Sequence, residues 1–220
     1  MSNAEKIKAH IAKSFVTHNS DLPTFYHLVK THKPGPELKI RPIVSNCTGP
    51  TKKISWLLSN VLKPIYRLLP AHLEDSKQLI ASISDLDPSI TSTFRYPFSL
   101  DVKSLYTSVP PLEAIKALEN KILRHREVSW PMRADHITEL LKVVFANTYF
   151  RFHDSVYKQT SGLPMGNSVS GVMAAVYMDA IEERSLSSIN VALYKRYVDD
   201  IFCLTTSEDE AKAIFGFMNS

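Results

Sequence analysis

Between Leu193 and Leu204 the chain reads Leu-Tyr-Lys-Arg-Tyr-Val-Asp-Asp-Ile-Phe-Cys-Leu, two apolar runs divided by adjacent carboxylates, Asp199 and Asp200. The runs read as the two arms of a β-hairpin. Two like charges side by side next to a core repel each other and lose hydration, so something cationic has to compensate. A hard divalent ion such as Mg²⁺ or Mn²⁺ answers that need, because it takes carboxylate oxygens as ligands. The competing reading is an acidic turn with no further role, since Asp is a common turn residue.

The rest of the composition narrows the class. At 220 residues, 44% hydrophobic and 22% charged, the chain has the make-up of an ordinary globular protein with ample core. No apolar run approaches a membrane span, and the start lacks the apolar stretch of a signal peptide. Cys47 and Cys203 have no CxxC spacing, which predicts no zinc site and a reducing, intracellular compartment. The net charge of +4 is unevenly spread. Residues 1–72 hold 11 Lys and Arg against 3 Asp and Glu, a net +8, and the remainder is net −4. Such an asymmetry suits a polyanion surface beside a cation site, although a solvated lysine face gives the same count.

Hydrophobic periodicity and turn residues predict an α+β fold with a small antiparallel sheet. Residues 25–30 and 38–45 read as strands around a Gly/Pro turn. A helix over 51–69 is expected to kink or split at Pro64. A shorter helix follows over 76–86, and then a strand over 97–102. Pro110 and Pro111 open a helix to about residue 126. Residues 135–147 form an amphipathic helix and 149–159 a hairpin around His153-Asp154. The helix over 168–186 carries one stripe of Val169, Val172, Met173, Val176 and Ala180, and a last helix begins at Glu208. Trp56 and Trp130 read as core or edge packing in preference to base-stacking platforms. His27, His32, His125, His136 and His153 read as bystanders.

Two further segments carry chemistry. Asp101 closes an apolar strand, and if that strand lies beside the 193–204 hairpin, Asp101 and Asp199 converge. Two carboxylates from different strands can hold a pair of ions that clamps the attacking and leaving oxygens of a phosphoryl transfer. A strand-end cap is the plainer account of Asp101 alone. Gln159-Thr-Ser-Gly-Leu-Pro-Met-Gly166 is a polar loop feeding a helix N-terminus, where free N–H groups can accept a phosphate or a nucleobase.

Taken in order, Lys39-Ile-Arg-Pro-Ile-Val-Ser45, Ser99-Leu-Asp-Val-Lys-Ser-Leu-Tyr-Thr-Ser-Val-Pro110, Gln159-Thr-Ser-Gly-Leu-Pro-Met-Gly166 and Tyr197-Val-Asp-Asp200 resemble the fingers and palm of a reverse transcriptase. The wording of Leu28-Val-Lys-Thr-His-Lys-Pro34, Arg41-Pro-Ile-Val-Ser45 and Asp101-Val-Lys-Ser-Leu-Tyr106 is most similar to Penelope-like retroelements. The resemblance covers roughly residues 22–206. It implies a lead-in over 1–21, a fingers-like basic region over 22–96 and a palm over 97–220, with a small antiparallel palm sheet packed by helices.

It also implies roles, residue by residue. Asp101 and Asp199 match the carboxylates that bind two Mg²⁺ ions, for which Mn²⁺ can substitute, and the Val102 carbonyl completes one coordination shell. Asp200 matches the supporting second aspartate. Lys39 and Arg41 match the residues that grip the incoming triphosphate, with Lys30 and Lys33 as weaker candidates. Met165 and Gly166 match the loop against nucleotide and template. Tyr106, five positions after Asp101, is expected to crowd a ribose 2′-OH and select deoxynucleotides. Gln159 is expected to be structural.

The implied partners are an RNA template, a DNA primer and dNTPs, with no membrane, an intracellular and nuclear location, and no oligomeric state specified. The chain stops 20 residues after Asp200, so a fragment without its thumb is expected, of doubtful activity on its own. A telomerase-like or RNA-synthesising polymerase and a non-catalytic nucleic-acid-binding remnant stay open as alternatives.

Overall fold

The computed structural model describes residues 13–30, 40–187, 189 and 191–218. In chain order its elements are β1 (Thr24–Val29), β2 (Ile40–Ser45), α1 (Lys52–Val61), a 3-10 helix (Lys63–Leu68), α2 (Ser76–Ser84), α3 (Pro88–Thr93) and β3 (Tyr96–Asp101). Then come α4 (Leu105–Ser108), α5 (Pro111–Arg124), α6 (Ala134–Ala146), β4 (Tyr149–Phe152) and β5 (Ser155–Lys158). The last are α7 (Ser170–Leu186), β6 (Leu193–Tyr197), β7 (Asp200–Thr205) and α8 (Glu208–Met218). The α+β expectation holds. No described helix is long and apolar enough to cross a membrane. The Gly/Pro turn predicted after Lys30, with Lys33 and Lys39, lies outside the described residues.

Local chemistry accounts for most boundaries. α1 buries Ser55, Leu58 and Val61, and the α-helical ladder gives way to a 3-10 turn where Pro64 has no N–H to donate. The Asp75 carboxylate accepts from the Gln78 N–H at 2.9 Å while Gln78 Oε1 accepts from the Glu74 N–H at 2.9 Å, which caps α2. α3 escaped the periodicity reading because it is one and a half turns long. Asp87 caps it through the Ser89 N–H at 2.7 Å, and Pro88 is pre-shaped for its first position.

The chain divides into two compact units that interleave in sequence, one formed by Met1–Lys63 with Tyr106–Met173 and the other by Pro64–Leu105 with Ala174–Ser220. In the first, a four-stranded sheet has the order β2-β1-β4-β5. β1 and β2 pair antiparallel, whereas β1 meets β4 in parallel at Thr24 and Arg151. Both antiparallel pairs match strands expected from the sequence, but their joining through β1 and β4 was not anticipated. Phe25 holds it together, with Phe150 at 5.6 Å and Phe152 at 5.2 Å between ring centroids. Helices α1, α5 and α6 supply the apolar core, including Leu58, Leu118, Ile137 and Leu141.

The second unit is built on a three-stranded antiparallel sheet of order β3-β7-β6. Burial on α7 goes beyond the single stripe expected, since Ala174, Ala175 and Met178 are also buried and Ala180 is only half-buried.

His72 is bridged to Arg196 on β6 and stacks on Tyr66 at 4.5 Å. Burial pushes its pKa below 6.5, the Arg196 charge adds to that, and Glu74 opposes it. The folded state therefore favours neutral imidazole, while the unfolded chain takes up a proton below pH 6.5. The stability contributed by neutral His72 is fully present above that pH and is lost as pH falls from there through the lowered folded value. Thermal melts across this range are expected to show a falling midpoint that flattens in His72→Phe.

Candidate active site

The three-stranded sheet ends in carboxylates. β6 and β7 form a hairpin closed by the Tyr197–Asp200 pair, leaving Val198 and Asp199 as a two-residue loop. β3 pairs along the other edge of β7, and its last pair sets Asp101 directly opposite Asp200. The Val102 N–H donates to the Asp199 carbonyl at 2.9 Å, carrying the ladder one step past the strand. Opposed residues in such a pair hold their Cβ atoms roughly 4.5–5.5 Å apart, and like charges there repel. Asp101, Asp199 and Asp200 are all exposed, at the open end of the sheet and not against the core.

The loop is strained. Val198 has φ +57°, a region that a β-branched side chain occupies at a cost of about 1–3 kcal/mol. Gly ordinarily fills such a hairpin position.

The oxygen-rich donor set suits a hard divalent ion. Among the described residues no group of three His, Cys, Asp or Glu side chains is gathered as a metal cage. The set implied by the resemblance is smaller, two carboxylates with the Val102 carbonyl.

In the first unit a separate set of motif residues meets. β2 is the edge strand of its sheet, and its Val44 N–H donates to the Met165 carbonyl at 2.8 Å. Gly166 lies at φ +105°, where a Cβ would stand 2.4 Å from the Val44 carbonyl oxygen. Near the middle of the loop the Leu163 N–H donates to the Tyr106 carbonyl at 2.6 Å. Gly162, at φ +73°, leaves no room for a Cβ, which would lie 2.5 Å from the Thr107 oxygen.

The 159–166 loop is thus tied to α4 at Leu163 and to β2 at Met165 by backbone hydrogen bonds, and the Ser170 hydroxyl donates to its Pro164 carbonyl at 2.8 Å. Gln159 is part of the scaffold beneath, its Nε2 donating to the Ser161 carbonyl at 2.8 Å and its own carbonyl accepting from Thr148 Oγ1 at 3.0 Å. Tyr106 and Met165 are half-buried, Gly166 and Arg41 are exposed, and Lys30 follows β1 half-buried.

The fit at Gly166 gives a direct prediction. Gly166→Ala is expected to lower stability by about 1–3 kcal/mol. Gly216→Ala, in α8 with nothing within 4 Å of an added Cβ, is expected to raise it by about 0.5–1 kcal/mol. Urea unfolding midpoints of the two variants should move in opposite directions.

A family model described as reverse transcriptase (RNA-dependent DNA polymerase) matches residues 31–219. The chain belongs to the reverse transcriptase family. A curated relative is the telomerase reverse transcriptase of Euplotes aediculatus, 30% identical over an 89-residue alignment, with 36% of this chain and 9% of the relative covered. The fold is similar to a solved structure of telomerase from Candida albicans in complex with a fragment of telomeric RNA. The TM-score is 0.58 at 14% identity, over 98% of this chain and 44% of that one. Telomerase from Candida tropicalis, in a comparable complex, gives a TM-score of 0.61 at 13% identity, over 98% and 41%. This family member therefore spans less than half the length of those relatives.

One pair of residues in this family member escaped the sequence reading. Arg196, just before Tyr197, is 1% exposed. Its Nε donates to Glu182 Oε1 at 2.5 Å and its Nη2 to Glu182 Oε2 at 3.3 Å, a bidentate ion pair between β6 and α7. Nη2 also reaches the Ala175 carbonyl, and Nη1 donates to the carbonyl of Val198 at 3.3 Å. The strained loop residue is therefore held by a buried cation that α7 holds in turn.

Tyr194 donates its hydroxyl to Glu182 Oε1 at 3.1 Å. Burial, then the Glu182 charge, pushes the Tyr194 hydroxyl pKa up. The same two causes push the Cys203 thiol up to about 12.

Proposed function

We propose that the chain is the fingers-and-palm core of an RNA-directed DNA polymerase that extends a primer 3′-OH with dNTPs on an RNA template. The observation that carries this reading is the pairing of Asp101 with Asp200 at the tip of the Tyr197-Val-Asp-Asp hairpin, in a chain of this family. In this reading Asp101, Asp199 and the Val102 carbonyl hold two Mg²⁺ ions, and Asp200 supports them. Ions held there would supply the charge that makes the primer 3′-OH a nucleophile and offsets charge on the leaving pyrophosphate. Arg41 and Lys39 grip the triphosphate, for which a guanidinium fork is well suited. Met165 and Gly166 face nucleotide and template. The linear division into a lead-in (1–21), fingers (22–96) and palm (97–220) belongs to the same proposal, as do a nuclear location and origin in a Penelope-like retroelement.

Primer extension on poly(rA) with dTTP and Mg²⁺, beside an Asp199→Ala control, tests the reading. Incorporation that vanishes in the control supports it. Incorporation that survives the control sinks it, and RNA binding without incorporation favours a non-catalytic remnant.

Tyr106 sharpens the substrate class. Tyr106→Ala is expected to incorporate rNTPs on the same template while retaining dNTP use. Unchanged discrimination between the two would remove Tyr106 from nucleotide selection.

The 89-residue match to a telomerase reverse transcriptase favours a second context, synthesis on one dedicated RNA. A retroelement enzyme copies the supplied poly(rA), whereas an enzyme that stays silent on poly(rA) and extends a telomeric primer only with its own RNA belongs to the telomerase context.

A further inference from the structure

Trp56 was expected to pack, yet it is 61% exposed on α1, whose other face is buried through Ser55, Leu58 and Val61. Its ring lines a groove of about 410 Å³ together with Cys47, Lys52, Lys53, Gly166 and Ser168. Lys52 and Lys53 precede Trp56 by four and three residues, so all three share one side of the helix. Lys53 Nζ also donates to the carbonyls of Ser14 and Val16, at 2.8 and 2.9 Å, which fixes that wall. Gly166, where the pinned loop ends, is also part of the lining. None of the lining residues is acidic, and α1 has no acidic residue in its first turn.

We propose that this groove binds an unpaired stretch of the RNA strand, with one base stacked on Trp56 and its phosphate beside Lys52. The inference rests on the polymerase reading for the identity of the strand as template. The chemistry is that of single-strand recognition, in which an aromatic face takes any base and a cationic rim follows the backbone. In a duplex each base face is already covered by its neighbours, so Trp56 has a surface to meet only where the strand is single. The +8 balance of residues 1–72 makes the same side of the sequence attractive to phosphate.

The test uses binding and not polymerisation. In Trp130→Phe, Trp56 is the one remaining tryptophan, and its emission reports stacking directly. Titration with a short, unstructured oligouridylate RNA is expected to quench it. Trp56→Ala is expected to weaken binding roughly 5- to 150-fold, the range for loss of one stacked base, with Trp56→Phe retaining most of the affinity. Lys52→Glu should weaken binding and flatten its salt dependence.

A second readout is alkylation. Cys47 is exposed in the groove and should be protected by RNA, while buried Cys203, with its thiol pushed up to about 12, stays silent. The proposal is overturned if Trp56→Ala binds RNA as the unaltered chain does, or if saturating RNA leaves Trp56 emission unchanged. It is equally overturned if a duplex of the same length quenches as well, or if no RNA binds. Primer extension separates the two readings: activity without these effects removes only the Trp56 site, and these effects without activity leave an RNA-binding chain that is no polymerase.

Discussion

Glu182→Ala is expected to cost the second unit about 3–5 kcal/mol, because it strands the Arg196 guanidinium, 1% exposed, without its counter-charge. That is a large share of the 5–15 kcal/mol that ordinarily separates folded from unfolded states. Urea unfolding read by circular dichroism measures it, and a loss below about 1 kcal/mol would mean that Arg196 finds other partners. Glu182→Gln should lose less, since an amide oxygen can still accept from Nε.

The informative variant is the double one, Glu182→Met with Arg196→Met. Replacing a buried pair by apolar groups of similar size is often neutral for stability. The fold should therefore be largely restored, yet the Val198 carbonyl has lost the Nη1 donor that steadies a strained turn. Primer extension is expected to remain depressed in this stable protein. A double variant that recovers both stability and extension would show that Arg196 serves the fold alone.

On the proposed polymerase reading, Asp199→Ala is expected to lower turnover on the order of 10³-fold or more, since losing an ion held there would remove several kcal/mol of transition-state charge stabilisation. Asp101→Asn should fall in the same range. Asp200→Asn should act differently, losing less activity, because its assigned role is support. It should also gain about 0.2–1 kcal/mol of stability, because the Asp101–Asp200 cross-strand repulsion is relieved. A binding readout accompanies the rates. Mg²⁺ should raise the melting midpoint of the unaltered chain by mass action and leave that of Asp199→Ala unmoved. Equal midpoints with and without Mg²⁺ in the unaltered chain would argue against a bound ion at this tip.

Much of this was legible in the sequence where the signal is local. The apolar arms on either side of Asp199 and Asp200 specify the hairpin, the strand before Asp101 ends where its apolar run ends, and Pro64 splits its helix. What was not legible depends on partners chosen at a distance. β1 meets β4 through Thr24 and Arg151, and nothing in either strand names the other. Arg196 and Glu182 look like ordinary surface charges in the sequence, each directly beside another charge, Lys195 and Glu183, and nothing local marks them as a buried pair. Trp56 failed for the opposite reason. Its composition says core and its position on α1 says surface, and only the burial of Leu58 and Val61 on the other face decides between them.

The fastening of the 159–166 loop has a consequence for how such a protein can change. Two of its anchor points are backbone groups, Leu163 to Tyr106 and Met165 to Val44, and the close approaches at Gly162 and Gly166 depend on glycine having no side chain. The identity of the residue at 165 is thereby uncoupled from the position of its Cα. A substitution there alters what the loop presents without altering where it sits. On the proposed polymerase reading, mutational libraries aimed at substrate preference would vary position 165 and leave 162 and 166 untouched.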